Sequence, residues 1–371
     1  MRNFSARKTL GFVHLWAGLI LCLPLVLLGL TGTILALQDN GGPTIAASGP
    51  PQPIAAMIAA AAHVAPEAQK PSMFVAPATP DKPAAIRFSA PGRNGPGFGA
   101  QFFVDPSTLA VTEATTNRFT RQVHMLHGNL LFGREGRDIV GWLGIVMLAM
   151  GVSGLVIWWP RPGRWRAAFG VDRKARGVRL HRELHGAVGI WGLLVLITVS
   201  FSGVYLAFPE TVSSIFGVTD ARSLPQPKVQ PVEGAKPIDA DRAVALAEGA
   251  VSGTLKSIGL PQRPDQPYRV ALAHVGDSDG APVATIYVDP WASRVIEIRD
   301  PAANGGVTAF IAWQRALHAG EGLGRLWQAL VALSGLLPAL FAATGVSMWL
   351  LKRRARQRMA AARVALPEAA E

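Results

Sequence analysis

Cysteine is almost missing from this chain of 371 residues, since Cys22 is the only one. No intramolecular disulfide can form, even if part of the protein faces an oxidising compartment. Two sequence signatures are missing as well. Without a His-Glu-x-x-His step, hydrolysis by a zinc centre is poorly supported, and without a Gly-x-Gly-x-x-Gly step the chain shows no nucleotide-binding or flavin domain.

Charged residues are absent from four long apolar stretches, residues 10–37, 139–159, 186–208 and 326–351. Each is long enough for a helix that crosses about 30 Å of hydrocarbon, which takes roughly 20 residues. The stretches are apolar on all sides, whereas a helix at the surface of a soluble protein carries a polar stripe. The first is too long for the core of a cleaved signal peptide, which runs about 7–15 residues. The sequence therefore predicts four transmembrane helices.

The formal net charge of +12 comes largely from cations that flank these stretches. They include Arg2, Arg7, Lys8, Arg161, Arg164, Arg166, Arg173, Lys174, Arg176, Arg179, Arg182, Lys352, Arg353, Arg354, Arg356, Arg358 and Arg363. Because cytoplasmic loops of membrane proteins are rich in Lys and Arg, the charge indicates topology rather than nucleic-acid binding. We expect a bacterial inner-membrane protein with residues 1–9, 160–185 and 352–371 in the cytoplasm. Residues 38–138 and 209–325 would then face the periplasm.

Certain spacings occur twice along the chain. A histidine precedes a glycine by 18 residues in the first and third stretches, and by 27 residues around the second and fourth. The pairs are His14 and Gly32, His185 and Gly203, His127 and Gly154, and His318 and Gly345. The pattern predicts a parallel duplication, helix–lobe–helix written twice, whose pseudo-twofold axis makes equivalent residues face each other.

The two extramembrane stretches also resemble each other. Phe103-Val104-Asp105-Pro106 in the first corresponds to Tyr287-Val288-Asp289-Pro290 in the second. An alanine-rich helical segment comes first in each, at residues 54–64 and 239–251. Short β-like runs follow at residues 84–88, 98–104, 268–273 and 285–288, separated by Gly, Pro and Asn. We therefore predict two small α+β lobes on a four-helix membrane bundle.

Four histidines occupy equivalent positions in the two halves. His14 and His185 lie at the predicted cytoplasmic ends of their helices, and His127 and His318 lie just before the second and fourth helices. A twofold axis would produce one facing pair near each membrane surface. Two facing imidazoles are the axial ligands of a six-coordinate haem iron, and helical bundles hold cofactors between facing helices. We expect each of the two pairs to bind one haem.

Other interpretations of these residues stay open. His124 and His181 lie one helical turn before His127 and His185 and are secondary candidates for ligands. Zinc could use His124, His127 and His318, and non-haem iron or copper is conceivable on similar grounds. Arg137 and Arg325, each leading into a span, are candidate partners of haem propionates, although such arginines are often interfacial anchors.

The order of several short motifs resembles the PepSY-associated transmembrane family, also described as iron-regulated membrane proteins. The motifs are His14-Leu-Trp-Ala-Gly, His124-x-x-His127, Ser153-Gly154-Leu155 leading to Trp158-Trp159-Pro160-Arg161, His181-Arg-Glu-Leu-His185 with Gly189-Ile190-Trp191, Ala316-Leu317-His318, and Thr344-Gly345 with Trp349. The resemblance covers nearly the whole chain. It implies two PepSY-type lobes and, in the branch that contains siderophore reductases, two b-type haems between transmembrane helices.

This resemblance also implies a function. Electrons would pass from a cytoplasmic or quinol donor to a ferric siderophore or another periplasmic iron chelate, whose hard oxygen ligands hold ferrous iron less tightly. The main alternative is a non-catalytic sensor or assembly factor whose lobes bind a periplasmic partner, because small exposed sheets can accept a strand. A transporter is less compatible with spans that contain no charged residue.

Overall fold

The computed structural model describes residues 6–38, 42–45, 49–91, 97–114, 118–219, 224–303 and 305–365. The ends of both predicted cytoplasmic termini, residues 1–5 and 366–371, lie outside these ranges. The described chain forms two compact units. The helical unit contains residues 6–37, 122–212 and 317–365, and the sheet unit contains the described residues of 38–121 and 213–316.

Eleven helices are described within these ranges. They are α1 (Ala6–Ala36), α2 (Ile54–Val64), α3 (Arg118–Asn129), α4 (Gly133–Trp158), α5 (Trp165–Ala168), α6 (Gly177–Ala207), α7 (Pro209–Ile215), α8 (Ala240–Ala250), α9 (Gly306–Ala319), α10 (Gly324–Ser334) and α11 (Leu337–Ala365). The strands are β1 (Lys70–Val75), β2 (Ala84–Ala90), β3 (Gly97–Val104), β4 (Val111–Glu113), β5 (Gly253–Gly259), β6 (Tyr268–His274), β7 (Ala284–Asp289) and β8 (Arg294–Arg299).

Four helical segments are long and apolar enough to cross a membrane, which confirms the four predicted spans. They are α1, α4, α6 and the stretch Gly324–Ala362, which contains α10 and most of α11. The helices α4 and α6 begin several residues before their apolar stretches, because a helix continues through polar residues once its first turn has formed. The fourth span is interrupted at Gly335 and Leu336, a break that hydropathy alone does not reveal.

The spanning helices of the helical unit pack as a ring. Helix α1 packs against α4 and α11, and α6 packs against the same two helices, so α1 and α6 are diagonal partners. The contact of α1 with the fourth span depends on small residues, since a Cβ atom on Gly29 would overlap the carbonyl of Gly335. Close approach of backbones at glycine is typical of helix packing in membranes.

The predicted basic loop between the second and third spans is folded in the structure. Trp158 at the end of α4 donates a hydrogen bond from Nε1 to the carbonyl of Ala168 (3.1 Å), and Trp191 of α6 donates to the carbonyl of Phe169 (3.0 Å). Arg7 of α1 donates to the carbonyls of Ile157 and Trp159. The loop is therefore hydrogen-bonded to α4 and α6, and α1 is hydrogen-bonded through Arg7 to the last residues of α4 and the residue that follows it.

The sheet unit contains one eight-stranded antiparallel sheet in the order β4-β3-β2-β1-β5-β6-β7-β8. Each predicted lobe supplies four consecutive strands, and the two sets join through β1 and β5, where Phe74 pairs with Ile258. The two lobes predicted as separate α+β units therefore share one sheet and one core. The four β-like runs expected from the sequence correspond to β2, β3, β6 and β7.

Helices α2 and α8 cover one face of this sheet. Their buried faces consist largely of alanine, with Ala61, Ala243 and Ala247 fully buried against strand residues such as Ile86 and Ile258. Small side chains let each helix lie close to the sheet, and the strands supply most of the apolar volume. The predicted helical segments match α2 residue for residue and α8 to within one residue at each end.

Candidate functional site

Near one end of the helical unit, His14 of α1 and His185 of α6 form the pair that we call the inner pair. Their ring centroids lie 6.4 Å apart and the ring planes are inclined by 72°. Because α1 and α6 are diagonal in the ring of spans, the two imidazoles meet across the middle of the bundle. This is the facing arrangement that the duplicated spacing predicts.

Each ring of the inner pair is held by a hydroxyl on a neighbouring span. His14 Nδ1 lies 2.8 Å from Ser153 Oγ of α4, and His185 Nδ1 lies 2.8 Å from Thr344 Oγ1 of α11. Both hydroxyls donate to a carbonyl of their own helix, Ser153 to Met150 and Thr344 to Leu340. When each hydroxyl proton is directed to that carbonyl, the oxygen accepts from the imidazole, and the ring proton then lies on Nδ1.

The second pair, here called the outer pair, is formed by His127 in the last turn of α3 and His318 in the last turn of α9. Their ring centroids lie 5.9 Å apart and the planes are inclined by 46°. His127 contacts α1 and His318 contacts α6, so the diagonal helices border this pair as well.

Each ring of the outer pair has two acceptors at Nδ1. His127 Nδ1 lies 3.0 Å from the carbonyl of Leu28 and 3.1 Å from Thr31 Oγ1. His318 Nδ1 lies 2.9 Å from the carbonyl of Val199 and 3.1 Å from Ser202 Oγ. A carbonyl can only accept, so the proton is on Nδ1 here too, and Nε2 is the unprotonated nitrogen that can bind a metal.

Glycines allow these rings to lie against the spans. A Cβ atom on Gly32 would lie 3.1 Å from Cε1 of His127, and one on Gly203 would lie 3.0 Å from Cε1 of His318. At the inner pair, a Cβ atom on Gly154 would lie 3.5 Å from Cε1 of His14, an ordinary contact. The glycines next to the outer pair therefore provide necessary space, which the sequence alone did not distinguish from simple helix packing.

The outer histidines are kept neutral by their surroundings. Burial lowers the pKa of His127 from 6.5 to about 4, with a smaller contribution from His318, and burial likewise lowers the pKa of His318. A neutral imidazole with a free Nε2 is the form that binds a metal. At neutral pH both imidazoles of the outer pair are therefore uncharged.

The ring centroids lie 6.4 Å apart in the inner pair and 5.9 Å apart in the outer pair. Two imidazoles at such a separation would suit an iron ion that both rings bind. No group of three or more His, Cys, Asp or Glu side chains converges among the described residues, so a zinc centre built on His124, His127 and His318 lacks support.

Comparison with known proteins places the chain in a family. Residues 12–352 match the PepSY-associated TM region. The chain belongs to the PepSY-associated transmembrane family. Over 173 aligned positions, this PepSY-associated protein is 27% identical to an uncharacterized protein of Pseudomonas aeruginosa, and the match covers 42% of this chain and 39% of that protein. The chain thus matches about two-fifths of the length of this relative.

The secondary candidates are not members of the two ring pairs of this PepSY-associated protein. His124 is exposed on α3 and His181 is half-buried on α6, and neither makes a ring contact within the described ranges. Arg137 donates to the carbonyl of Leu206 near the end of α6 (3.1 Å), and Arg325 is exposed in the first turn of α10. Their predicted roles as ligands or propionate partners stay predictions.

The hydroxyl residues were not assigned a role from the sequence. Ser153, Thr344, Thr31 and Ser202 each come directly before a glycine of the repeated spacing. That shared position is the signal that could have identified them. Serine and threonine in a membrane helix usually bond only to their own backbone, so the signal is weak without the fold.

A cleft of about 580 Å³ lies in the sheet unit, and none of the predicted site residues lines it. Its lining includes Ile58, Lys70, Gln262, Arg263, Tyr268 and Trp291. The indole of Trp291 donates to the carbonyl of Pro264 and the hydroxyl of Tyr268 to that of Ile238. Both aromatic polar groups are thus satisfied within the protein.

Proposed function

We propose that this PepSY-associated protein is a dihaem electron-transfer protein of the bacterial inner membrane that reduces ferric chelates, siderophores among them, at the periplasmic face. The observation that carries the proposal is the pair of facing histidines near each end of the helical unit, each ring with its proton on Nδ1. A haem iron held between two imidazoles alternates between ferric and ferrous states and so accepts and passes on a single electron.

The contribution of the chain is to hold two such sites in an apolar bundle. The inner pair would lie near the cytoplasmic surface and the outer pair near the periplasmic surface, because the basic residues flank the ends of the spans where the inner pair lies. Two redox sites at different depths allow a donor on one side, a cytoplasmic reductant or a membrane quinol, to reduce an acceptor on the other.

The substrate class follows from the chemistry of the acceptor. A chelate that binds Fe(III) through hard oxygen ligands gains one electron and becomes an Fe(II) complex, which holds its metal less tightly. No covalent bond to the protein is needed, so the chain requires no nucleophile or general base at the site.

A duplicated architecture supports this arrangement. Each half supplies a long first span, an alanine-rich helix, four strands, a short histidine-bearing helix and a final span. The hydrogen bonds of the histidines repeat as well, since Thr31 bonds to His127 as Ser202 bonds to His318. We infer that the two halves arose by duplication and that the site was built in pairs.

The alternative function, a sensor that accepts a partner strand, would use an edge of the sheet. The edge strand β8 carries Arg294, Glu297 and Arg299, and the last two form an ion pair. Charged residues on an edge strand are a common means of preventing strand addition. The charged edge strand β8 therefore supports the sensor function less strongly than the histidine pairs support electron transfer.

The proposal is tested by replacing one pair at a time in the full-length protein in detergent. His127→Ala with His318→Ala should halve the haem content, and His14→Ala with His185→Ala should do the same. His124→Ala, on the same helix as His127, is the matched control and should keep the full haem content. In membrane vesicles, loss of either pair should abolish reduction of a ferric chelate. Unchanged haem content in both double variants would refute the proposal.

A further inference from the structure

The two histidine pairs differ in how their Nδ1 protons are held. In the inner pair, the hydroxyl of Ser153 or Thr344 is the one acceptor for each ring in the part of the chain that the structure describes. In the outer pair, each ring has a backbone carbonyl, that of Leu28 or Val199, beside the hydroxyl. The hydroxyl is thus the single Nδ1 partner of each ring in the inner pair and one of two partners in the outer pair.

We infer that Ser153 and Thr344 are positioning residues that fix the tautomer and orientation of His14 and His185, whereas Thr31 and Ser202 are dispensable for the outer pair. The effect of these residues on an iron site rests on the proposed function. Their effect on the tautomer of His14 and His185 does not. Without Ser153 or Thr344, a ring of the inner pair keeps no acceptor for the Nδ1 proton and can rotate or exchange the proton to Nε2, which would block the metal-binding nitrogen.

The electronic consequence follows from the same hydrogen bonds. An Nδ1–H group that donates to an acceptor makes the imidazole a stronger electron donor through Nε2, which stabilises ferric over ferrous iron and lowers the reduction potential. Removing the single acceptor of an inner ring should therefore raise the potential of the inner site. Removing a hydroxyl at the outer pair leaves the carbonyl, so the potential there should change little.

The chain offers an unusually close control for this test. Each histidine pair is contacted by one serine and one threonine. Every one of these hydroxyls also donates to a carbonyl of its own helix. Ser153→Ala and Thr344→Val at the inner pair are therefore matched chemically by Ser202→Ala and Thr31→Val at the outer pair. Any effect of losing the bond within the helix is common to both sets.

Redox titration of full-length protein in detergent, with haem quantitation and low-spin electron paramagnetic resonance spectra, is the experiment. The inner variants should raise the midpoint potential of the inner site, alter its low-spin signal and weaken haem retention by about 10–100-fold. The outer variants should behave as the wild type. Ser153→Thr and Thr344→Ser should restore the wild-type values, because they keep the hydroxyl.

Equal shifts in the two sets, or no shift in the inner set, would overturn the inference while leaving the proposed function in place. If the wild-type protein binds no haem, the proposed function fails, and the inference is then measured on the haem-free protein. There, ¹⁵N spectra of labelled histidine, assigned with His14→Gln and His185→Gln, should show the Nδ1–H tautomer at both inner rings. Ser153→Ala and Thr344→Val should each abolish it at one ring, and persistence of the tautomer would overturn the inference.

Discussion

At the scale of single residues, Gly32 and Gly203 make the outer pair possible. The Cβ atom of an alanine there would approach the imidazole of His127 or His318 more closely than Cβ atoms normally approach a neighbour. We expect Gly32→Ala and Gly203→Ala each to destabilise the protein by about 1–3 kcal/mol, because the ring is held at Nδ1 and cannot move without losing its hydrogen bonds.

Thermal unfolding of the full chain in detergent measures this effect. Gly11→Ala is the control on α1, since a Cβ atom on Gly11 meets nothing within 4 Å, and it should be neutral or slightly stabilising because alanine is the better helix former. A loss of stability in Gly11→Ala as large as that in Gly32→Ala would show that the histidine contact is not the cause.

Among the secondary elements, α2 and α8 are joined by a cap that the two lobes share. The carboxylate of Asp241, in the first turn of α8, accepts from the backbone nitrogens of Ile54 and Ala55 at 2.8 Å each. It thereby satisfies two of the unpaired N–H groups at the start of α2 and lies at the favourable end of its dipole.

Asp241→Ala should therefore destabilise α2 by about 1 kcal/mol. Hydrogen exchange of the α2 amides measures this directly, and their protection should fall while the protection of β6 changes less. Asp279→Ala is the control, because that side chain is 81% exposed and its contact with Lys256 is a surface ion pair of little energetic value. Unaltered protection of α2 in Asp241→Ala would contradict the assigned role of the cap.

The elements also show which parts of the fold could be predicted. Hydropathy identified the four spans, and alanine-rich composition identified α2 and α8, because both signals are local. The strands β1 and β5 were missed: Pro71 and Lys256 interrupt their apolar pattern, and their pairing joins segments about 180 residues apart in sequence. A contact of that kind has no local signature, so two separate lobes were predicted where one sheet exists.

The candidate site was predictable to a similar degree. Repeated spacing was enough to pair His14 with His185 and His127 with His318, because a duplication relates positions that are distant in sequence. It could not show that Ser153 and Thr344 bond to the inner rings, since that contact depends on which spans are neighbours. Only the ring of four helices, with α1 and α6 diagonal, places these hydroxyls beside the histidines.

For the whole molecule, the account requires the basic loop and the sheet unit to lie on opposite sides of the membrane. Labelling of single cysteines in a Cys22→Ser background with a membrane-impermeant maleimide tests this. In intact spheroplasts, Asp279→Cys in the sheet unit should be labelled, and Arg166→Cys in the loop should react only after the membrane is opened. The reverse pattern would overturn the predicted topology.

The reduced-minus-oxidised absorption spectrum of the full-length protein, purified from haem-replete cells and combined with haem quantitation, tests the central claim most directly. The account predicts a red protein with a b-type spectrum and two haems for each chain, one for each histidine pair. A colourless preparation of folded protein would contradict it.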